Sequence, residues 1–315
     1  MVQVLTALVG IFRDNLLPVF CLMGLGYLVQ VRLGLDMRTL VRLNLWIFVP
    51  ALVIDRLSHA RLPAGDLWRV VGFTLAVQAA SFLACRGWAR ARHYSVGLAG
   101  AFTCAVIFYN SGNFGLPVME LVFGKGSPAV ALQTIVLVVQ NTTTFGLGQL
   151  IIRGPHIGWR RALVEYLKMP FLYAIALGLV LQRTGWQLPA PLARPIATAG
   201  DGLIPVALVT LGAQLGSITW HGSKRPVAAA TLLRLVGGPL IAFCLLKLLG
   251  WHGLLAQQLL ISAAVPSAIN AALLAIEFDS EPDFAAQTVF VTTLLCALTV
   301  AVTILCARTF FPLGG

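Results

Sequence analysis

The chain has 315 residues, of which 58% are hydrophobic and only 10% are charged, and its mean hydropathy is +0.88. Because soluble domains usually carry about 25% charged residues, this composition excludes a soluble globular domain and indicates a membrane protein. The formal net charge of +11 does not indicate nucleic-acid binding, since Lys and Arg lie mainly between apolar runs, where they anchor membrane loops.

The cysteines and histidines do not follow the pattern of a metal or redox site. All six cysteines fall inside apolar runs without paired spacing, so we expect small packing residues and no disulfide framework. The five histidines fall in loops or at the ends of apolar runs, where a solvated role is predicted. The first apolar run lacks the basic lead and cleavage site of a signal peptide and is predicted to be retained. No metal or cofactor is predicted.

Apolar runs of about 17–25 residues, each long enough to cross a bilayer, divide the chain into ten segments. In chain order, segments 1 to 10 lie near residues 15–31, 40–57, 67–86, 95–123, 129–152, 166–183, 195–216, 226–249, 254–278 and 284–307. Residues 2–12 are also apolar but stop at Arg13-Asp14, which predicts a short interfacial helix. The loops are short, so we predict an all-α membrane protein with ten transmembrane helices in one membrane unit.

The two halves of the chain resemble each other at a nearly constant offset. Pro18 and Gly26 of segment 1 recur as Pro170 and Gly178 of segment 6. Further matches, in the same order, are Val49-Pro50 with Ile204-Pro205, Thr74-Leu75 with Thr231-Leu232, and Gln133-Thr134 with Gln287-Thr288. Each repeat holds five spans, an odd number, so the second must enter the membrane upside down as an inverted repeat. The alternative is that these matches reflect only the general similarity of apolar helices to one another. We predict a first repeat at 1–152, a cytoplasmic linker at 153–165 and a second repeat at 166–308.

Segment 4 is interrupted by the stretch 109–117, Tyr-Asn-Ser-Gly-Asn-Phe-Gly-Leu-Pro. Two glycines, a proline and three polar side chains are poor material for a continuous helix in lipid, and the ring of Pro117 presses on the carbonyl four residues back. Segment 9 has a similar stretch at 262–270, with Pro266 in mid-span. Helices broken at membrane depth are tolerated only inside protein or beside a water-filled cavity, and they mark the binding sites of transporters. We therefore predict that segments 4 and 9 break and cross.

The predicted crossing is an uncharged site with two kinds of helix end. The second half of each broken helix presents free amides and the positive end of a dipole, which attract an anion. The first half ends in carbonyls, which attract a cation. This combination suits a small organic anion, whereas the alternative is that the prolines kink the helices for packing alone. The predicted substrate-binding residues are Asn110, Ser111, Gly112, Asn113, Pro117, Pro266, Ser267 and Asn270.

Several motifs resemble the auxin efflux carrier family of membrane transporters, whose plant members are the PIN auxin carriers. The run Asn-Ser-Gly-Asn-Phe-Gly-Leu-Pro-Val from Asn110, followed by Phe123-Gly124, is similar to segment 4 of that family. Further likenesses are Pro18-x5-Gly24-x-Gly26-Tyr27, Val49-Pro50-Ala51-Leu52, Pro266-Ser-Ala-Ile-Asn270 and Ala285-Ala-Gln-Thr-Val. Together they extend over essentially the whole chain.

The resemblance implies a scaffold of segments 1, 2, 6 and 7 and a transport domain of segments 3–5 and 8–10. Segments 4 and 9 would cross at the substrate site, as in bile-acid symporters and sodium/proton antiporters, and we predict an elevator-type motion. It also implies a carboxylate substrate, malate or malonate in bacterial members and auxin in plants. The short linker at 153–165 favours a prokaryotic-type member in the plasma (bacterial inner) membrane. Coupling to protons or sodium and formation of a homodimer stay open.

Ionisable residues inside membrane spans are energetically costly and are therefore functional candidates. Arg234 is predicted either to neutralise a neighbouring carboxylate, which we favour, or to stand where a sodium ion sits in coupled relatives. Asp201 is predicted to bind a coupling proton or cation, and Glu120 to titrate; the alternatives are an interfacial aspartate and a helix-end carboxylate.

Amide side chains in segments 5 and 10 form a second set of candidates. Gln133, Gln140, Asn141 and Gln287 are predicted to hydrogen-bond between helices. Because Gln133 and Gln287 are repeat-related, one or both are also expected to reach the crossing.

An intramembrane enzyme is the main alternative class, but its motifs are incomplete. Thr198-Ala-Gly-Asp201 lacks the first glycine of an aspartyl protease motif, Tyr109-Asn-Ser-Gly112 lacks that of a serine protease motif, and no His-Glu-x-x-His occurs. Within transporters, the alternative is a sodium-coupled bile-acid-like symporter; a sensor that does not transport is a third hypothesis. Basic residues are more frequent on the side of the segment 5–6 loop, which predicts that this loop is cytoplasmic and both termini outside.

Overall fold

The computed structural model describes residues 12–59, 64–153, 170–216 and 224–313, together with positions 6, 9, 10, 167 and 168. All its regular elements are helical. In the first half the helices are Leu17–Leu33, Met37–Leu43, Val49–His59, Ala64–Ala91, Val96–Ile107, Leu116–Phe123, Pro128–Thr143 and Gln149–Arg153. In the second half they are Pro170–Thr184, Ala190–Gly216, Lys224–Leu232, Gly238–Leu249, Gly253–Ala263, Ile269–Glu277 and Pro282–Phe310. Single π-helical turns lie at Phe12–Leu16, Asn44–Phe48, Ser111–Gly115, Thr144–Gly148 and Leu233–Gly237.

These helices fall on the ten predicted segments, and the prediction of an all-α membrane protein is confirmed. In the described part of the chain, five helical runs are long and apolar enough to cross a membrane: Gly65–Ala91, Pro128–Ile152, Ala190–Gly216, Lys224–Leu249 and Pro282–Phe310. Segments 4 and 9 are each divided into two shorter helices, and segments 1 and 6 are also short apolar helices. The predicted interfacial helix at 2–12 and the linker at 153–165 lie largely outside the described residues.

Prolines widen the helices without ending them. Among the described residues, four of the five π-helical turns end two residues before a proline, namely Pro18, Pro50, Pro117 and Pro239. A proline has no amide proton and its ring presses on the carbonyl four residues back, and a locally wider turn relieves both effects. Pro117 therefore lies within a helical run, and segment 4 is interrupted earlier than the proline suggested, at residues 108–110.

The segments pack as two groups. Segments 1, 2, 6 and 7 contact mainly one another and form the first packing group. Segments 3–5 and 8–10 form the second packing group, which contains both broken helices. The groups meet where segment 7 contacts the break in segment 4 and where segment 2 contacts segment 5.

Two glycines related by the sequence repeat occupy equivalent positions in the first packing group. A Cβ atom added to Gly26 of segment 1 would overlap the backbone of Val209 in segment 7. A Cβ added to Gly178 of segment 6 would lie 2.9 Å from Cβ of Leu57 in segment 2. Small residues let membrane helices approach closely, so each half of the chain docks its first segment on the second segment of the other half. This exchange is what an internal repeat predicts.

Replacing Gly26 by alanine should destabilise the protein by about 3 kcal/mol, because the new methyl group meets rigid backbone. Gly24 lies in the same helix with nothing within 4 Å of its added Cβ, so Gly24→Ala should change stability by less than about 0.5 kcal/mol. The yield of monodisperse protein and the melting temperature in detergent measure both effects. Equal stability of the two variants would contradict the close approach of segments 1 and 7.

Candidate functional site

The two interrupted helices cross through extended backbone. Residues Tyr109 and Ser267 form an antiparallel bridge at the centre of the second packing group. The amide of Asn110 donates to the carbonyl of Pro266 at 2.8 Å, and the amide of Ala268 donates to the carbonyl of Phe108 at 2.9 Å. Backbone groups freed by the breaks in segments 4 and 9 therefore satisfy one another, as burial in an apolar environment requires.

Asn110 begins the second half of segment 4. Its Oδ1 accepts from the amide of Asn113 at 3.1 Å, and its carbonyl accepts from the amide of Gly115 at 2.9 Å. An asparagine cap satisfies an otherwise free amide and leaves the positive end of the helix dipole at the crossing. The second half of segment 9 begins close by, at Ile269. Both second halves thus direct their N-termini at the same place.

A small cavity lies beside the crossing. Its volume is about 50 Å³, and no charged side chain lines it within the described part of the chain. It is lined by five of the predicted substrate-binding residues, which are Asn110, Ser111, Gly112, Asn113 and Asn270. Since about 10–15 Å³ accommodates one water molecule, this volume holds only a few waters. The site is therefore a small polar space beside the crossing.

The other three predicted substrate-binding residues do not line the cavity. Pro117 is buried in the second half of segment 4, and Pro266 contributes its carbonyl to the crossing. The hydroxyl of Ser267 donates to the carbonyl of Ala105 at 2.6 Å, and its amide donates to Oγ1 of Thr292 at 3.2 Å. These residues shape the crossing and do not face the cavity.

Four further amide residues line the cavity. Gln140 and Asn141 were expected only to hold helices together, and Oδ1 of Asn141 does accept from Nδ2 of Asn270 at 3.2 Å. Asn44 of segment 2 and Gln214 of segment 7 were not among the predicted site residues. Both belong to the first packing group, so the cavity lies at the boundary between the two groups.

Gln133 reaches the crossing, as the sequence repeat suggested. Its Nε2 donates to the carbonyl of Ser111 at 2.9 Å, and its Oε1 accepts from Nε2 of Gln258 at 2.8 Å. It thereby joins segment 5 to both broken helices, and a Cβ at Gly115 would overlap it. The repeat-related Gln287 is buried in segment 10, with 4% of its surface exposed.

Arg234 lies where the first halves of both broken helices end. Its guanidinium donates to the carbonyl of Val106 at 2.8 Å and to the carbonyl of Ala263, and it stacks 4.8 Å from the ring centre of Tyr109. Only 1% of Arg234 is exposed. The carboxylate partner that we favoured is not found among the described residues; the negative ends of two helix dipoles take its place. The alternative, that Arg234 stands where a sodium ion sits in coupled relatives, stays a prediction; helix carbonyls at this position would attract a cation.

Glu120 and Asp201 lie in an ion-pair network away from the cavity. Arg56 of segment 2 contacts Glu120 of segment 4 at 3.0 Å and Asp201 of segment 7 at 3.2 Å. It also contacts Asp55 at 3.1 Å, and Lys125 contacts Asp201 at 2.8 Å. Arg56–Glu120 and Lys125–Asp201 both join the two packing groups. Glu120 and Asp201 are therefore engaged in ion pairs between the groups, and their predicted roles in coupling stay predictions.

Two comparisons bear on the family. A family model described as membrane transport protein matches the chain in two pieces, residues 11–163 and residues 156–304. A relative described as an uncharacterized transporter, from Methanothermobacter thermautotrophicus, is 30% identical over 291 residues. The alignment covers 90% of this chain and 94% of the relative. The two matched pieces correspond closely to the two predicted repeats.

Proposed function

The chain belongs to the membrane transport protein family, which is the auxin efflux carrier family of membrane transporters, and on this basis we propose that it moves a small organic carboxylate by secondary active transport. It is a transporter and not an enzyme. Malate and malonate are the proposed type of substrate, and auxin is a larger candidate of the same chemistry. The proposed location is the plasma membrane, with both termini outside.

The cavity beside the crossing is the observation that carries this proposal. It combines asparagine and glutamine side chains with two helix N-termini and holds no charged residue among those described. Amide donors and helix N-termini stabilise an anion without a fixed positive charge that would hold it too tightly for release. A carboxylate fits these donors better than a cation, because the helix carbonyls that would attract a cation are already bonded to Arg234.

The packing supports an elevator mechanism in a fold of ten transmembrane helices and two inverted repeats. We assign the first packing group as the scaffold and the second as the transport domain. The cavity is lined by residues of both groups, so sliding of one past the other would change the side from which it is reached. A volume of about 50 Å³ holds only a few waters, so in this mechanism the groups would move further apart to admit the substrate.

The position of Arg234 bears on the choice of coupling ion. In a sodium-coupled symporter, the carbonyl ends of the broken helices would be available to sodium. Here a buried guanidinium bridges them. This favours coupling to protons, or no ion coupling, over the sodium-coupled alternative.

The ion-pair network between the two packing groups gives a testable prediction for the stability of the protein. Arg56→Gln leaves Asp55, Glu120 and Asp201 close together with only Lys125, so we expect stability to fall by about 2 kcal/mol. Glu120→Gln keeps Arg56 paired with two aspartates and should cost less than about 1 kcal/mol. Melting temperatures in detergent compare the variants. A larger loss for Glu120→Gln than for Arg56→Gln would contradict a network centred on Arg56.

Flux into proteoliposomes tests the proposed function. Purified full-length protein should take up radiolabelled malate or a related carboxylate, with a proton gradient and not a sodium gradient changing the rate. Asn113→Ala should reduce uptake at least about tenfold while insertion is unchanged, because it removes a cavity-lining amide. Uptake driven only by sodium would favour the symporter alternative, and binding without uptake would indicate a sensor.

A further inference from the structure

Two amide groups in the cavity are unpaired hydrogen-bond donors. Oδ1 of Asn110 is used by the amide of Asn113 at 3.1 Å, which leaves Nδ2 of Asn110 over. Oε1 of Gln140 accepts from the amide of Tyr109 at 3.4 Å, which leaves Nε2 of Gln140 over. Neither nitrogen has a hydrogen-bond partner in the described part of the chain. Because a backbone amide can only donate, the oxygens of both side chains are assigned and the free atoms are donors.

A third amide is an unpaired acceptor. The hydroxyl of Thr210 donates to the carbonyl of Val206 at 2.7 Å, so its single proton is used and its oxygen can only accept. Asn44 must therefore direct Nδ2 toward Thr210, at 3.1 Å. Oδ1 of Asn44 is then left without a partner among the described residues, on a side chain that is 3% exposed.

We propose that the transported carboxylate also carries a hydrogen-bond donor, an O–H or N–H group, and that Asn44 is the residue that recognises it. The carboxylate would accept from Asn110 and Gln140, and the second group would donate to Oδ1 of Asn44. A ligand without that donor leaves a buried acceptor unpaired, and sites of this kind reject such analogues strongly. This inference rests on the proposed function and narrows its substrate class: malate and auxin carry such a donor, whereas malonate does not and should bind poorly.

The three amide side chains of Asn44, Asn110 and Gln140 are divided between the two packing groups. Asn110 and Gln140 belong to the second packing group, whereas Asn44 lies in the π-helical turn of segment 2, in the first. Binding to all three therefore spans the boundary between the groups. The substrate's carboxylate would be held by the proposed transport domain. The substrate's O–H or N–H group would donate to Asn44 of the proposed scaffold.

Matched pairs of acids provide the test. Uptake and competition are measured in proteoliposomes for malate against succinate, lactate against propionate, and indole-3-acetate against 1-methylindole-3-acetate. Within each pair the charge is the same and one O–H or N–H group is absent from the second acid. We expect the donor-bearing acid of the transported type to bind at least about tenfold more tightly. The first two pairs report an O–H donor and the third an N–H donor.

Variants of segment 2 connect the preference to Asn44. Asn44→Leu removes the acceptor at similar size and should reduce the ratio within the preferred pair to about twofold or less, mainly by weakening the donor-bearing acid. Trp46→Phe is the matched control, since Trp46 is 60% exposed in the same π-helical turn and should leave the ratio unchanged. The melting temperature establishes that both variants are folded.

The outcomes separate this inference from the proposed function. Preference for the donor-bearing acid that is lost in Asn44→Leu supports both. Uptake of acids without such a preference, or a preference that survives in Asn44→Leu, overturns the role of Asn44 and leaves carboxylate transport intact. Absence of binding and uptake for every acid overturns the proposed function and this inference with it.

Discussion

Replacing Arg234 by methionine is expected to abolish transport and to lower the stability of the protein by about 2–5 kcal/mol, because buried carbonyls lose their donors. The guanidinium joins Val106 of segment 4 to Ala263 of segment 9 from a site that is 1% exposed. Methionine fills a similar volume but donates no hydrogen bond, so the negative ends of two helix dipoles would face each other without a cation. Uptake in proteoliposomes and the melting temperature in detergent measure the two losses.

Two further variants make the role of Arg234 falsifiable even if the methionine variant does not fold. Arg234→Lys keeps a cation but can satisfy the two carbonyls less well than a planar guanidinium, so we expect partial stability and reduced transport. Arg225, an exposed arginine near the start of segment 8, serves as the control, and Arg225→Met should be neutral within about 0.5 kcal/mol. Full transport by both Arg234 variants would show that a cation between the helix ends is unnecessary.

The segments and the crossing were accessible to sequence reasoning because the bilayer imposes strong rules. Apolar runs of the required length lie at all ten positions where the helices are found, and the breaks in segments 4 and 9 coincide with polar, proline-containing stretches. The location of the break in segment 4 was less accessible. Pro117 widens a helix by one π-helical turn, whereas the chain extends at residues 108–110 to pair with segment 9. That pairing is a contact between residues far apart in the chain, so it leaves no local pattern in the sequence.

Asn44 and Gln140 show why part of the cavity was missed. A single amide in an apolar helix has the same sequence signature whether it joins two helices or faces a cavity. A signal was nevertheless present, since Asn44 lies six residues before Pro50 and Ser111 lies six residues before Pro117. In both cases the π-helical turn that precedes the proline carries the cavity residue.

The partner of Arg234 could not be deduced from charge alone. Acidic residues are the usual partners of buried arginines, which is why a carboxylate was favoured. Here the partners are backbone carbonyls that become available only because two helices end beside each other. Glu120 and Asp201 are instead engaged by Arg56 of segment 2.

Changing Asn110 to aspartate is expected to eliminate carboxylate binding, with a loss of more than about 100-fold, while the helix cap survives. The Asp carboxylate can still accept from the amide of Asn113, as Oδ1 of Asn110 does at 3.1 Å. The unpaired Nδ2 donor, however, becomes a negative oxygen in a small cavity without a charged side chain among the described residues, where contact with the like charge of the carboxylate costs several kcal/mol. Asn110→Ala loses the cap and one donor without adding charge, so its binding defect should be smaller than that of Asn110→Asp. Equilibrium binding of radiolabelled malate measures both.

Which of the two variants loses more malate affinity shows whether Asn110 acts mainly by binding the anion or mainly by capping the helix. If Asn110 mattered mainly as a cap, alanine would be the more damaging change, since aspartate caps a helix as well as asparagine does. Ser127→Asp is the control, because Ser127 caps segment 5 by accepting from the amide of Ala129 and does not line the cavity. It introduces the same charge at the same kind of helix position and should leave binding unchanged. Malate affinity that falls further in Asn110→Ala than in Asn110→Asp would place the anion outside the crossing.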